Sequence, residues 1–381
     1  MIYLDNAATT FPKPDKVYEE VLNCMKNYGA NPGRAGHKLA LEAGRTIYET
    51  RENICKLFNI DNPMNIVFTN NATDSLNLAI KGLVNEGDHI VTTSMEHNSV
   101  IRPIKTLEKI GVTNTIVKCN EFGELDVKDI KKAIKKNTKL IVTTHASNVC
   151  GTLVDIEKVG KIAREMNITY LVDASQTAGV YNIDVKNMNI DMLALPGHKG
   201  LLGPQGTGIL YVQEEISLNQ LKEGGTGSKS EELTQPNIVP DKYESGTPNT
   251  PGIAGLNAGI EFILKEGIDN IRKHEEELTQ YFLNELSLIS IIKVYGTKDS
   301  KKQAAVISIN IGTQDSSEVS FILDSVFDIA TRSGLHCGPL AHKTMNTLEQ
   351  GTVRFSIGYF NTKEDIDKAV TALKSIVDEI K

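Results

Sequence analysis

The sequence predicts an α/β fold: a mainly parallel sheet covered by helices on both faces, with a smaller α+β unit after it. Two observations predict it. Short apolar, β-branched runs alternate with amphipathic helical segments over the first two-thirds of the chain, and the texture changes past about Pro251. The runs fall at 66–69, 89–93, 139–144, 168–173, 191–195 and 208–212. They are apolar throughout instead of alternating with polar residues, as strands buried on both faces should be.

Between the runs, Leu76, Ala79, Ile80 and Leu83 share one helical face, and so do Val159, Ile162, Ala163 and Met166; both sets recur at i, i+3, i+4, i+7. Strands alternating with helices become parallel neighbours joined by crossovers. The run at 208–212 is the expected exception, because a short Gly-rich link precedes it where a helix would be needed for a parallel return. Beyond Pro251, segments 255–264 and 272–288 read as helices and 305–311 as a strand. The closing helix carries Ile366, Ala369, Val370, Leu373, Val377 and Ile380 on one stripe, and Thr362 with Asp365 frames its start as a capping box. The expected units are 15–250 and 251–381, with segment 1–14 packing against the second.

Composition narrows the function classes. A chain of 381 residues suits two domains better than one. With 40% hydrophobic and 23% charged residues it is an ordinary globular mixture with enough apolar side chains for a large core. Its 48 acidic residues outnumber 41 basic ones, so the basic footprint of a nucleic-acid binder is missing. No stretch approaches the roughly 18 apolar residues of a membrane span. The start, Met1 to Asn6, lacks the basic and apolar regions of a secretory signal. Five cysteines, Cys24, Cys55, Cys119, Cys150 and Cys337, are odd in number and form no CxxC pair. That pattern suits a reducing cytoplasm better than a disulfide framework or a zinc site.

Ligands of open α/β sheets gather beyond the carboxyl ends of the strands, so the residues following each run are the candidates. After Phe68 comes Thr69 to Ser75, opening a helix whose free N–H groups and Thr73 hydroxyl suit a phosphate. The next runs deliver Glu96 and His97, then His145, Ser147 and Asn148, then Asp173 to Gln176, and finally Pro196 to Gly200 with Lys199. Singly, each has a blander reading as a cap, a turn or a loop hydrogen bonder. Jointly they form the set that pyridoxal phosphate requires: a lysine for the Schiff base, a carboxylate for the pyridine nitrogen, an anion site, a flat group over the ring and donors for the phenolic oxygen.

These residues resemble the class V aminotransferase superfamily of pyridoxal-phosphate enzymes, fold type I, and within it the cysteine desulfurases, closer to the group II (SUF-type) branch. The resemblance runs along essentially the whole chain. It is carried by Tyr3 to Thr9 (Tyr-Leu-Asp-Asn-Ala-Ala-Thr), Asn71 to Asp74, Glu96-His97, Ser147-Asn148, Asp173 to Gln176, Gly197-His198-Lys199, Ser245 to Asn249, Ser333 to Cys337 and Gly351 to Arg354. It implies a Schiff base at Lys199, a pyridine-nitrogen partner in Asp173 and a stacking ring in His97. It places Asn148 and Gln176 near the phenolic oxygen. It gives the phosphate to Ala72 (through its backbone), Thr73 and His198, with Thr247 reaching in from a second subunit. Arg354 matches the clamp for the substrate carboxylate, aided by Asn148, and a guanidinium fork suits that bidentate task. Cys337 matches the nucleophile that takes the sulfur. Two departures stand out: a phosphate contact usual for Ser or Thr falls on Pro196, which has no donor, and the segment after Cys337 is one residue shorter than usual for group II.

The resemblance thus implies conversion of L-cysteine, or L-selenocysteine, to alanine with sulfur left on Cys337, in a cytoplasmic homodimer serving a sulfur-acceptor protein. The alternative on the same cofactor is an aminotransferase or a C–S lyase. Cys24, Cys55 and Cys119 read as packing residues, as does Cys150, for which a place facing the cofactor is the lesser reading. His336 and His342, flanking the nucleophile, could exchange its proton or simply shape its loop.

Overall fold

The computed structural model describes residues 1–33 and 36–380. The chain opens with a short strand, β1 (Ile2–Tyr3), and two helices, Asp15–Asn27 and Lys38–Phe58. Seven strands then build the first sheet: β2 (Ile66–Thr69), β3 (His89–Thr93), β4 (Thr113–Val117), β5 (Thr138–Thr144), β6 (Thr169–Asp173), β7 (Met192–Pro196) and β8 (Gly208–Val212). Their order across the sheet is β2-β8-β7-β6-β5-β3-β4. All neighbours from β7 to β4 run parallel, whereas β8 is antiparallel to both β7 and β2, as its Gly-rich approach predicts.

The strand at β4 was not expected from the sequence. Thr113, Asn114 and Thr115 are polar and partly exposed at the sheet edge, so no apolar run marks it. The interior strands show why theirs are so uniform. Val91, Ile141, Val172 and Leu195 enter one core, with Leu256, Ile260 and Ile263 of helix Thr250–Glu266. Their chain neighbours Ile90, Leu140, Leu171 and Ala194 enter a second core on the opposite face, under helices Ala72–Leu83 and Asn98–Leu107. With both pleat faces covered, both alternate positions favour apolar residues, and a polar one such as Thr143 is hydrogen-bonded, here to the Tyr170 hydroxyl at 2.7 Å.

The remaining strands are β9 (Ile292–Tyr295), β10 (Val306–Ile311), β11 (Ile329–Ala330), β12 (Arg332–Gly334) and β13 (Thr352–Ser356). Four of them form an antiparallel sheet ordered β12-β13-β10-β9, and only β10 was legible as an apolar run. Helices Ile268–Ser287, Ser316–Phe327 and Lys363–Ile380 share its core through Phe282, Leu323 and Leu373. The expected capping box is formed reciprocally: Asp365 N donates to Thr362 Oγ1 at 3.3 Å, and Thr362 N to Asp365 Oδ2 at 2.9 Å. The N-terminal segment joins this half, with β1 parallel to β11 and Asp5 bridged to Ser356.

Candidate active site

The strand ends converge as the parallel order requires. Ala72, Thr73, His97, Asn148, Asp173, Gln176, Pro196, His198 and Lys199 line one cleft of about 100 Å3. Asn71 caps helix Ala72–Leu83 by accepting from Asp74 N at 3.0 Å, leaving the first-turn N–H groups to face an anion. A Cβ at Gly208 would come within 2.5 Å of the Asn71 backbone, so glycine is what lets β8 pass directly beneath this turn. Ser99, overlooked in the sequence, also lines the cleft; its hydroxyl lies 2.8 Å from Thr73 Oγ1 and 2.9 Å from His97 Nδ1. Pro196 sits in the wall without a donor, so Ser99 is the hydroxyl this rim offers beside Thr73.

The electrostatics follow from burial. Lys199 is enclosed, and desolvation, helped by the Arg354 guanidinium, lowers its ammonium to about 8. Asp173 is 3% exposed, and one of its oxygens, Oδ1, already accepts from Ser175 N at 3.0 Å and Ser175 Oγ at 2.5 Å. His97 caps helix Asn98–Leu107 through Nδ1, which accepts from Ser99 N at 3.0 Å; burial holds the ring neutral, at about 4. His198 is likewise pushed to about 4 by burial and by Lys199. Its carbonyl accepts from Thr10 N at 3.1 Å and from Lys13 Nζ at 2.7 Å, which ties the N-terminal segment to the lysine turn. Gln176 does the same by donating to Ala7 O at 3.2 Å.

The second sheet brings the remaining groups. Cys337, just past β12, is exposed, whereas Cys24, Cys55, Cys119 and Cys150 are buried. Burial pushes the Cys55 thiol up to about 11 and the Cys119 thiol to about 12. The Cys337 carbonyl accepts from Asn98 N at 2.8 Å, beside His97, and the His336 carbonyl accepts from Asn148 Nδ2 at 2.6 Å. Arg332 was missed in the sequence: its Nη2 lies 3.7 Å from Cys337 Sγ, and a guanidinium five residues ahead of the thiol was the available signal.

Arg354 is 1% exposed behind the cleft wall, its Nη2 paired with Asp5 Oδ1 at 2.7 Å and its Nη1 donating to Asn148 O at 3.0 Å. Thr247 is not brought to the cleft of its own chain. It lines a separate groove with Thr69, Asn70 and Asp74, and accepts from Asn31 Nδ2 at 3.2 Å.

A buried amine near neutrality, a buried carboxylate with one oxygen uncommitted, a neutral imidazole and a helix N-terminus are a donor set that fits pyridoxal phosphate. Fold and cleft together define a pyridoxal-phosphate enzyme. The aminotransferase class-V family model matches residues 2–369, and the chain belongs to that family. Among its relatives, a probable cysteine desulfurase of Methanothermobacter thermautotrophicus is 38% identical, the alignment covering 98% of this chain and 94% of that one. One of Pyrococcus abyssi is 36% identical over 100% and 95%. Of solved structures, the apo cysteine desulfurase of Thermococcus onnurineus NA1 superposes with a TM-score of 0.94 at 34% identity, covering 99% of this chain and 95% of that one. The Escherichia coli cysteine desulfurase CsdA gives 0.87 at 25%, covering 99% and 94%.

Proposed function

We propose that the protein is a pyridoxal-phosphate-dependent cysteine desulfurase that converts L-cysteine to L-alanine and leaves the sulfur as a persulfide on Cys337. The observation that carries this reading is the exposed Cys337 thiol on a turn whose backbone is bonded to Asn98 and Asn148, two elements of the lysine cleft. Bound pyridoxal phosphate supplies an electron sink for the substrate carbon. Lys199 holds it, Asp173 keeps its ring nitrogen protonated and His97 covers the ring. Ala72 N, Thr73 and His198 bind its phosphate, while Gln176 and Asn148 face its phenolic oxygen. The Lys199 amine, tuned close to neutrality, would take the substrate Cα proton as a base. Arg354 receives the substrate carboxylate, exchanging part of its bond to Asp5 for it.

Cys337 then attacks the substrate sulfur as thiolate. An S–S bond forms, the substrate C–S bond breaks, and the carbon retains the electron pair and is protonated to alanine. Arg332 Nη2 stands 3.7 Å from the attacking sulfur. Selenocysteine fits the same site, and a protein thiol is the chemical class that would collect the persulfide sulfur. Thr247 completes the phosphate site of a second copy of the chain. The apolar side chains Tyr18, Leu22, Met25 and Leu41, all about half exposed or more, support such a homodimer. No helix of the described residues is long and apolar enough to cross a membrane, and a cytoplasmic setting suits the reduced cysteines.

Incubating the loaded protein with L-cysteine, with and without a thiol reductant, tests the reaction. Alanine should appear in both cases, and sulfide should be released in quantity only with the reductant. Pyruvate and ammonia in place of alanine would assign a C–S lyase instead.

A further inference from the structure

Cys337 stands on a strained turn. His336 and Cys337 both adopt left-handed backbone, at φ of 49° and 58°, a conformation that successive residues bearing a Cβ keep only where their surroundings over-determine it. Two backbone bonds do part of that, from Asn148 to the His336 carbonyl and from Asn98 to the Cys337 carbonyl. The rest falls on the His336 ring, which is 2% exposed and serves as the root of the turn while its neighbour's thiol points to solvent.

That ring is held from two sides. Its Nε2 lies 3.0 Å from Thr352 Oγ1 and 3.2 Å from the Thr352 carbonyl of β13. A carbonyl only accepts, so Nε2 carries the proton and Nδ1 is a lone pair. On its other side stands His342, fully buried on the short helix Pro339–Thr344, with ring centroids 5.5 Å apart. His342 Nδ1 lies 2.7 Å from Thr347 Oγ1, and its backbone N donates to Gly338 O at 3.1 Å. Neither His336 Nδ1 nor His342 Nε2 has a protein hydrogen-bond partner among the described residues. Burying two polar rings where leucine would pack is costly. The cost is understandable if the packing of one ring against the other fixes the turn above them. Burial keeps both neutral, His336 at about 2 and His342 at about 4, so neither is suited to carry the thiol proton.

We propose that His342 is a positioning residue: its ring backs that of His336, and the pair clamps the left-handed turn that presents Cys337 both to the cleft and to an acceptor. This rests on Cys337 being the sulfur nucleophile. Leucine at 342 would fill the volume without the ring nitrogens, whereas glutamine would retain a polar atom near the position of Nε2.

The test compares full-length, cofactor-loaded wild type with His342→Leu and His342→Gln. It follows persulfide formation on Cys337 by mass spectrometry after mixing with L-cysteine, and alkylation of Cys337 by iodoacetamide without substrate. In His342→Leu, capture of sulfur should slow by roughly tenfold, a barrier change of about 1.4 kcal/mol, appearing in kcat and not in KM. Alkylation should change in rate, and His342→Gln should recover most of both. Wild-type behaviour in His342→Leu, equal loss in the two variants, or an effect confined to KM would overturn the proposal. Should His342→Leu fail to fold, Thr347→Val removes the Nδ1 partner, together with that hydroxyl's 3.4 Å bond to the His342 carbonyl, while keeping the ring, and is read by the same criteria. If wild type carries its sulfur on another cysteine, the assignment of Cys337 as nucleophile falls. The alkylation rates then still decide for or against the clamp, because they require no sulfur transfer.

Discussion

The roles proposed for Lys199 and Cys337 draw on opposite environments. The lysine is enclosed, and desolvation brings its ammonium down to about 8, so a useful fraction is neutral amine near physiological pH. Only that neutral amine attacks the aldehyde of pyridoxal phosphate. Loading of cofactor-free protein, followed by absorbance, should therefore accelerate from pH 6 to pH 8 and level off above it. A rate independent of pH over that range would show that the amine is not the titrating group. The cysteine is exposed beside Arg332, while burial raises the Cys55 and Cys119 thiols far above neutrality. Cys337→Ser should bind cofactor normally and still show absorbance changes with L-cysteine, because Lys199 and Asp173 are untouched. Alanine and protein-bound persulfide should fall at least a thousandfold, since a serine hydroxyl is scarcely ionised near pH 7. Undiminished alanine would assign the sulfur to another residue. His336 and His342, open to either a proton-transfer or a loop-shaping reading in the sequence, are buried and neutral, and that favours the second.

The elements explain which parts of the site were legible. Helix Ala72–Leu83 was readable because its apolar face and the polar residues that open it are local in sequence, whereas its Asn71 cap came from the structure. Interior strands were readable because burial on both faces leaves a continuous apolar run. The edge strand β4 and the short strands β12 and β13 carry no such run: Arg332 and Arg354 come from strands only 3 and 5 residues long. The pairing of β1 with β11 is equally silent in sequence, yet it delivers Asp5 to Arg354. Removing a partner from a buried pair leaves an uncompensated charge, at a cost of about 3–5 kcal/mol. Asp5 retains some exposure, so Asp5→Ala should lower unfolding stability by about 3 kcal/mol, at the low end of that range, measured as a drop in denaturant midpoint. A midpoint unchanged from wild type would mean that solvent already screens Arg354.

At the scale of the molecule, buried titratable groups set the acid limit. His89, His97, His145, His198 and His342 are held at about 4 and His336 at about 2, chiefly by burial. Unfolding lets them bind protons at their ordinary value near 6.5, so the unfolded state takes up more protons as pH falls, and stability drops on acidification from about 6.5. Glu96 and Glu275, raised to about 8 by burial, act in the opposite sense, since they bind protons in the folded state and favour it as pH falls from 8. Six imidazoles outweigh two carboxyls between pH 6.5 and 4.5. Thermal midpoints should thus decline from pH 7 to pH 5; a flat or rising trend would mean that the histidines are hydrated. The proposed homodimer has its own test. Dilution to nanomolar concentration should weaken cofactor retention, and adding pyridoxal phosphate should shift the equilibrium back toward dimer by linkage. A monomer that retains its cofactor and turns over normally would exclude the contribution of Thr247.

The sequence by itself determined the alternation of strands and helices, the reversal of β8, the capping box of the last helix and the rim order from Thr73 to Lys199. Each is a local pattern: a period, a cap, or the residue that follows a strand. Only the tertiary structure decided the Asp5–Arg354 ion pair, across 349 residues, the bond from Asn148 to the His336 carbonyl, across 188, and the burial of His342 behind the turn that carries Cys337. Hydrogen bonds between segments so distant in the chain leave no spacing to read. They arise where the two sheets pack together, through the bonds from Asn148 to the His336 carbonyl and from Asn98 to the Cys337 carbonyl.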